Sequence, residues 1–186
     1  IDDDFSERSI KVQRLDEILE EILEAGDRAL LFTQFAEWGH LLKTYLQKKW
    51  NFDIPFLYGG TSKNERQSMI DRFQGDPRGP QLFLLSLKAG GIGLNLTRAN
   101  HVIHLDRWWN PAVENQATDR AYRIGQDNNV LVHKFITNGS VEEKIDKMLK
   151  QKATLAEEII GSGEEWLGSL AMNELEELVT LEERQN

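Results

Sequence analysis

At 186 residues the chain has room for one ordinary domain with appendages and falls short of two full ones. Its 40% apolar and 28% charged residues exclude a disordered or fibrous class, and its lack of cysteine excludes disulfides, thiolate zinc sites and cysteine nucleophiles. No run of about 18 apolar residues is present to span a membrane, and the net charge of −9 argues against non-specific coating of DNA while leaving a focused basic site open.

The chain opens on Ile1 rather than methionine, so a longer natural chain is expected, and residues 1–11 read as an acidic, flexible leader. Apolar side chains at Val12, Leu15, Leu19 and Ile22, widened by Ile18 and Leu23, have helical spacing, and Gly26-Asp27 closes that helix. Residues 29–33 form an apolar strand candidate, residues 37–50 read as helix, and residues 54–60 as a strand closed by Gly59-Gly60. Ser62 with Glu65 makes a capping box for a helix to Phe73. The stretch from Gly75 to Pro80 is a turn. Residues 82–86 are wholly apolar up to Ser86, as in a strand buried on both faces, and residues 101–106 are a further strand candidate. Asn110-Pro111 supplies an N-cap and a first-turn proline for a helix toward Tyr122. Residues 130–136 are the last strand candidate. Ser140 with Glu143 is a second capping box, opening an amphipathic helix to about Ile160. From Val141 to Asn186 there are twelve acidic and five basic side chains, so the carboxyl-terminal stretch is an acidic tail.

Strands alternating with helices predict a three-layer α/β domain around a mostly parallel sheet. Ligands of such sheets lie off the carboxyl ends of the strands. The stretches after Leu57, Leu85 and Leu105 would converge there. Lys88, Arg98, Arg107, Arg120 and Arg123 outnumber Asp106, Glu114 and Asp119 between Leu84 and Gln126, which allows a local basic patch.

Three stretches could carry chemistry. The glycines of Ser86-Leu87-Lys88-Ala89-Gly90-Gly91-Ile92-Gly93 allow close approach to a phosphate or sugar, and they equally fit a tight strand–helix turn. The loop matches neither GxGxxG nor GxxxxGK[ST], and no Walker A motif occurs in the chain. Gln116, Arg120 and Arg123 have the spacing of one helical face. Two arginines a turn apart can reach one anionic group and stabilise a transferring phosphoryl, while a solvated face with Asp119 as local partner also fits. Of Trp108 and Trp109, adjacent before a helix, one is expected in the core and the other near the site, with packing of both as the alternative. His40, His101, His104 and His133 lack metal spacing, and Asp106 has no second carboxylate at a useful spacing.

Taken in order, Leu30-Leu31-Phe32-Thr33-Gln34-Phe35, Leu57-Tyr58-Gly59-Gly60-Thr61, the glycine loop to Leu96, Asp106-Arg107-Trp108-Trp109-Asn110-Pro111, and residues 116–126 (QATDRAYRIGQ) resemble helicase motifs IV to VI. The resemblance is to the second RecA-like lobe of SWI/SNF-type DNA translocases in helicase superfamily 2. It covers about Val12 to Ile160, its last two stretches are the most specific, and the tail is similar to that of prokaryotic members.

The resemblance implies a RecA-like lobe over residues 12–140, then a brace helix and acidic tail over 141–186. It implies that Arg120 and Arg123 face the γ-phosphate of ATP held by an N-terminal lobe, with Gln116 ordering the site and Gly91, Gly93 and Asn95 near the ribose. Gly60, Thr61, Ser86, Lys88 and Trp109 would lie along double-stranded DNA. ATP and Mg2+ would be held mainly by the N-terminal lobe, and a DNA-bound protein such as RNA polymerase stays open as a further partner. Tyr58 replaces a usual aspartate, Lys88 a frequent arginine, and Tyr122 a common histidine. A strand-separating helicase and a non-catalytic docking lobe remain as alternatives. The expected compartment is a prokaryotic cytoplasm, associated with the nucleoid, or the nucleus if the source is eukaryotic.

Overall fold

The structure, a computed structural model, describes residues 9–87, 94–108, 110–121 and 129–153. Five strands form one all-parallel sheet: β1 (Ala29–Thr33), β2 (Phe56–Leu57), β3 (Leu82–Ser86), β4 (His101–His104) and β5 (Leu131–Lys134), in the order β2-β3-β1-β4-β5. The helices are α1 (Ile10–Glu24), α2 (Ala36–Trp50), α3 (Lys63–Gly75), α4 (Pro111–Thr118) and α5 (Val141–Ala153). This is the predicted three-layer α/β arrangement. The helix α1 starts at Ile10, inside the stretch expected to be a leader, because Ser9 caps it.

β1 and β3 are buried at every position, as their continuous apolar sequence requires with helices on both faces. One face of the sheet packs Leu31, Leu84 and Ile103 against Leu15, Leu19 and Ile22 of α1 and Leu42 and Leu46 of α2. The other packs Leu30, Phe83, Leu85 and Val102 against Phe73 of α3 and Ala117 of α4. Each large apolar side chain so buried contributes about 1.5–3 kcal/mol. Gly39 of α2 lets the helix lie directly on Phe56, since a Cβ there would fall 2.3 Å from the ring.

Some element ends differ from the sequence reading for a local reason. β2 is confined to Phe56–Leu57, because Pro55 has no N–H to donate, although its carbonyl still accepts from Leu84 N at 3.0 Å. α4 stops at Thr118 rather than near Tyr122, where Arg120 N and Ala121 N bond carbonyls three residues back and tighten the chain into a turn. β5 lies at the sheet edge, with Leu131 and Val132 exposed. Both capping sites exist, but only the first is a full box: Ser62 and Glu65 bond each other's backbone. At α5 the Ser140 hydroxyl accepts from Glu142 N, and the Glu143 carboxylate reaches Gly139 N.

At the amino-terminal edge of the sheet, the buried Arg28 donates to the carbonyls of Phe73, Pro80, Asp76 and Pro77 at 3.0–3.3 Å. One guanidinium thereby satisfies a carbonyl at the end of α3 and three in the turn after it.

Candidate functional site

The chain leaves β1 toward α2 on one face of the sheet and leaves β4 toward α4 on the other. β1 and β4 are neighbours, so the place where ligands of such sheets bind lies off their carboxyl ends. Asp106 sits there, just past β4. It accepts from the Thr33 hydroxyl at 2.5 Å and from Gln34 N at 3.0 Å. Burial raises the Asp106 carboxyl above its usual range, and the bonds from Thr33 and Gln34 offset part of that rise. Asp106 thus ties the carboxyl end of β4 to that of β1.

Beside it lies a buried charge network. Arg107, 6% exposed, pairs with Glu114 of α4 and, at 2.9 Å, with Asp146 of α5. Lys134 of β5 reaches Glu114 at 3.0 Å, and Trp108 N donates to the same carboxylate at 3.1 Å. Glu142 of α5 takes Lys11 of α1 at 2.8 Å. Burial pushes the Glu114 carboxyl up, but the donors from Arg107, Trp108 and Lys134 outweigh it and hold it below its usual range. Asp146 and Glu142 are lowered by the same balance, through Lys150 with Arg107 and through Lys11 with Thr137 N.

This network takes Arg107 out of the basic patch that the sequence allows. Arg107 and Arg120 are buried, Arg98 bonds the carbonyls of Gln74 and Asp76, and Lys88 and Arg123 lie outside the described residues. Charge counted along the sequence does not become surface potential where acids from other elements neutralise it.

The sequence-predicted residues divide into two groups along the carboxyl edge. Leu96 N donates to Arg120 O at 2.9 Å, which joins the segment of Asn95 to the turn that ends α4. Asn95 and Gln116 are exposed, whereas Arg120 is 4% exposed, so Gln116 and Arg120 do not share a solvated helical face. Toward the β2 edge, Ser86 ends β3 opposite Thr33 and is buried, and Leu87 N bonds Thr33 O. Gly60 and Thr61 follow β2 in a turn closed by Thr61 N on Tyr58 O, with Tyr58 N donating to the Thr61 hydroxyl at 3.0 Å. Trp108 is half-buried against the core with Val113 and Val130. Gly91, Gly93, Lys88, Trp109 and Arg123 lie outside the described residues.

His101, His104 and His133 are engaged within the fold. His104 stacks on Phe32 and bonds Thr118 at 3.1 Å, and burial pushes its pKa down to about 4. His101 lies between Asp27 and His133, 3.2 Å from each, at the opposite edge of the sheet. Among the described residues, no group of three or more metal-ligating side chains is placed to hold an ion, and no helix is long and apolar enough to cross a membrane. Sequence reading missed Arg107, Glu114 and Asp146 as a unit. The only local hint was an acid following Pro111 within the first turns of α4.

Residues 10–125 match the model of the helicase conserved C-terminal domain. The chain is 54% identical over 94% of its length to YwqA of Bacillus subtilis (strain 168), provisionally named an ATP-dependent helicase/translocase, and covers 18% of that protein. It is 40% identical over 86% of its length to the chromatin-remodeling ATPase INO80 of Neurospora crassa, covering 8% of it. The chain thus spans less than a fifth of the curated relatives it matches. Among solved structures, it is similar to the Sulfolobus solfataricus SWI2/SNF2 ATPase C-terminal domain, with TM-score 0.75 and 45% identity over 95% of this chain and 71% of that one. It is also similar to the Sulfolobus solfataricus SWI2/SNF2 ATPase core in complex with dsDNA, with TM-score 0.77 and 47% identity, covering 94% of this chain and 36% of the other.

Proposed function

The chain belongs to the helicase conserved C-terminal domain family, in its SWI2/SNF2 branch, and from that premise we propose that it is the second lobe of an ATP-driven motor on double-stranded DNA. The observation that carries the reading is the 2.9 Å bond from Leu96 N to Arg120 O. It ties the segment of Asn95 to the turn of Arg120 near the carboxyl edge of the sheet, where a ligand of an α/β sheet binds.

In this reading ATP lies between this lobe and an N-terminal one. Arg120, buried and held through its own carbonyl, shapes the turn. Arg123, three residues on, is the guanidinium that meets the γ-phosphate as charge develops on it. Gln116 and Asn95, both exposed, face the nucleotide side, with Gly91 and Gly93 near the ribose. Gly60, Thr61, Ser86, Lys88 and Trp109 track the DNA backbone. Contacts of that kind carry little sequence information, so binding is sequence-tolerant. Mg2+ would neutralise phosphate charge during transfer. The described residues offer it no ligand set, since Asp106 is already bonded to Thr33 and Gln34. ATP and Mg2+ are assigned mainly to the N-terminal lobe, as the resemblance implies. A motor of this kind displaces DNA-bound protein, RNA polymerase being one such obstacle, and works in the nucleoid of a prokaryote or the nucleus of a eukaryote.

The test is turnover. Its 186 residues hold no Walker A loop, so the chain alone should not hydrolyse ATP, and joining it to an N-terminal lobe that has one should give duplex-stimulated hydrolysis. Robust turnover by the chain alone, or no gain on joining, would overturn the reading.

A further inference from the structure

The edge strand β2 ends in a groove. It wraps around the sheet edge, between the first half of α2 on one face and the first half of α3 on the other. His40 and Lys43 line it from α2, Phe56, Tyr58 and Thr61 from the strand and its turn, and Glu65 and Met69 from α3. At about 200 Å³ it is smaller than the ~300–1,000 Å³ of a pocket that encloses a free small molecule. Its size suits a partial contact with something larger.

Three rings build the wall. Phe56 and Tyr58 alternate along the strand, so both point to the α2 face. They stack with centroids 5.2 Å apart, and His40 stands edge-on to both at 5.0 and 4.6 Å. The Tyr58 ring also leans over the turn, since a Cβ at Gly60 would fall 2.6 Å from it. The wall is therefore continuous with Gly60-Thr61.

Lys43 supplies the charge. Several cations of this half of the lobe are engaged, Arg72 by Asp53, Lys49 by Asp16, and Arg28 and Arg98 by backbone carbonyls, whereas Lys63, Arg66 and Arg78 lie on or after α3 outside the groove lining. Lys43 pairs with no acid among the described residues. The acid in the same groove, Glu65, is bonded to both the hydroxyl and the N–H of Ser62, which lowers its pKa.

We propose that the groove of Lys43, His40 and Tyr58 is a second contact for the backbone of duplex DNA: Lys43 takes a phosphate, and the Tyr58 ring packs on the adjoining sugar. This rests on the reading that Gly60-Thr61 meets DNA, and it gives Tyr58 a use that an aspartate at that position could not supply. An ammonium on a flexible stem suits a single phosphate as a point charge.

The test is the salt dependence of binding to a short fluorescent duplex by the two-lobed protein. Lys43→Ala should lower the log–log slope by about one unit. Lys48→Ala, exposed on the far half of the same helix, removes the same charge and should leave the slope unchanged. Tyr58→Leu should weaken binding by about fivefold or more with the slope kept. Tyr58→Phe should bind nearly as well, with a melting curve to confirm its fold. Equal slopes for Lys43→Ala and the unaltered protein, with Lys88→Ala still lowering it, would overturn the groove and leave the duplex reading standing. Equal losses for Lys43→Ala and Lys48→Ala would overturn it too, as a bulk-charge effect. No change in Lys43→Ala, Thr61→Ala and Lys88→Ala together would overturn both readings.

Discussion

The guanidinium of Arg107 stands 2.9 Å from the Asp146 carboxylate, and this contact fastens α5 to the carboxyl end of β4. The other side of the same guanidinium holds Glu114 of α4. Two helices thus depend on one buried cation. Arg107→Ala leaves two buried carboxylates short of their partner and should cost about 3–5 kcal/mol, read as a shift in denaturant midpoint. Asp146→Asn should cost less, since Arg107 keeps Glu114. A loss below 1 kcal/mol for Arg107→Ala would mean that Lys134 and Lys150 suffice.

His104 makes stability depend on pH in a defined window. Burial holds its folded pKa near 4, against 6.5 for the free group. The unfolded chain therefore binds the proton first. The stability is fully present above pH 6.5 and is lost as pH falls toward 4, by about 3 kcal/mol in all. His104→Gln should flatten the fall between pH 7 and 5, leaving the smaller share from His133, also lowered by burial and by His101. Glu114, Asp146 and Glu142 are lowered carboxylates, so their stabilisation is lost further into acid. An unchanged profile in the variant would refute the assignment to His104.

Gly39→Ala places a methyl 2.3 Å from the tip of Phe56, which is 2% exposed and stacked on Tyr58. Overpacking of this kind costs about 1–3 kcal/mol. Gly75→Ala, at the end of α3 with nothing within 4 Å of the new atom, should be near neutral. Thermal melts of the pair compare the two, and equal melting temperatures would show that α2 can shift away from the strand.

Arg123→Ala in the two-lobed protein should lower ATP turnover by about 10³-fold or more. Duplex affinity should change little. Near-normal turnover would remove Arg123 from the catalytic role.

Lys88→Ala should weaken duplex binding and reduce the log–log salt slope by about one unit. A slope equal to that of the unaltered protein would end the assignment of Lys88 to a phosphate.

Most of the fold was readable because it is written in local periods. Val12, Leu15, Leu19 and Ile22 recur at helical spacing, and all four are buried. Residues 29–33 and 82–86 are strands at the predicted bounds. Ser62 with Glu65, and Asn110 with Pro111, mark helix starts that the backbone uses. The order of the motifs also made the family legible. What stayed hidden was the choice of partners between elements. Nothing near Arg107 in the sequence says that Asp146 will neutralise it, and the spacing of Gln116 with Arg120 gives no warning that the helix ends at Thr118 and that Arg120 turns inward. The groove beside β2 was unreadable for the same reason. Its lining comes from two helices and a turn that only the sheet edge brings together.

Arg28 bears on how the lobe would carry load in the proposed motor. A body that swings against a neighbour transmits load only as far as its own backbone resists bending. Four carbonyls gathered on one planar fork make the amino-terminal edge of the sheet stiff, and a lysine, with a single nitrogen, has no geometry to reproduce it. In the motor proposed above, load at one end of the lobe would meet a turn between α3 and β3 that these four bonds hold in place.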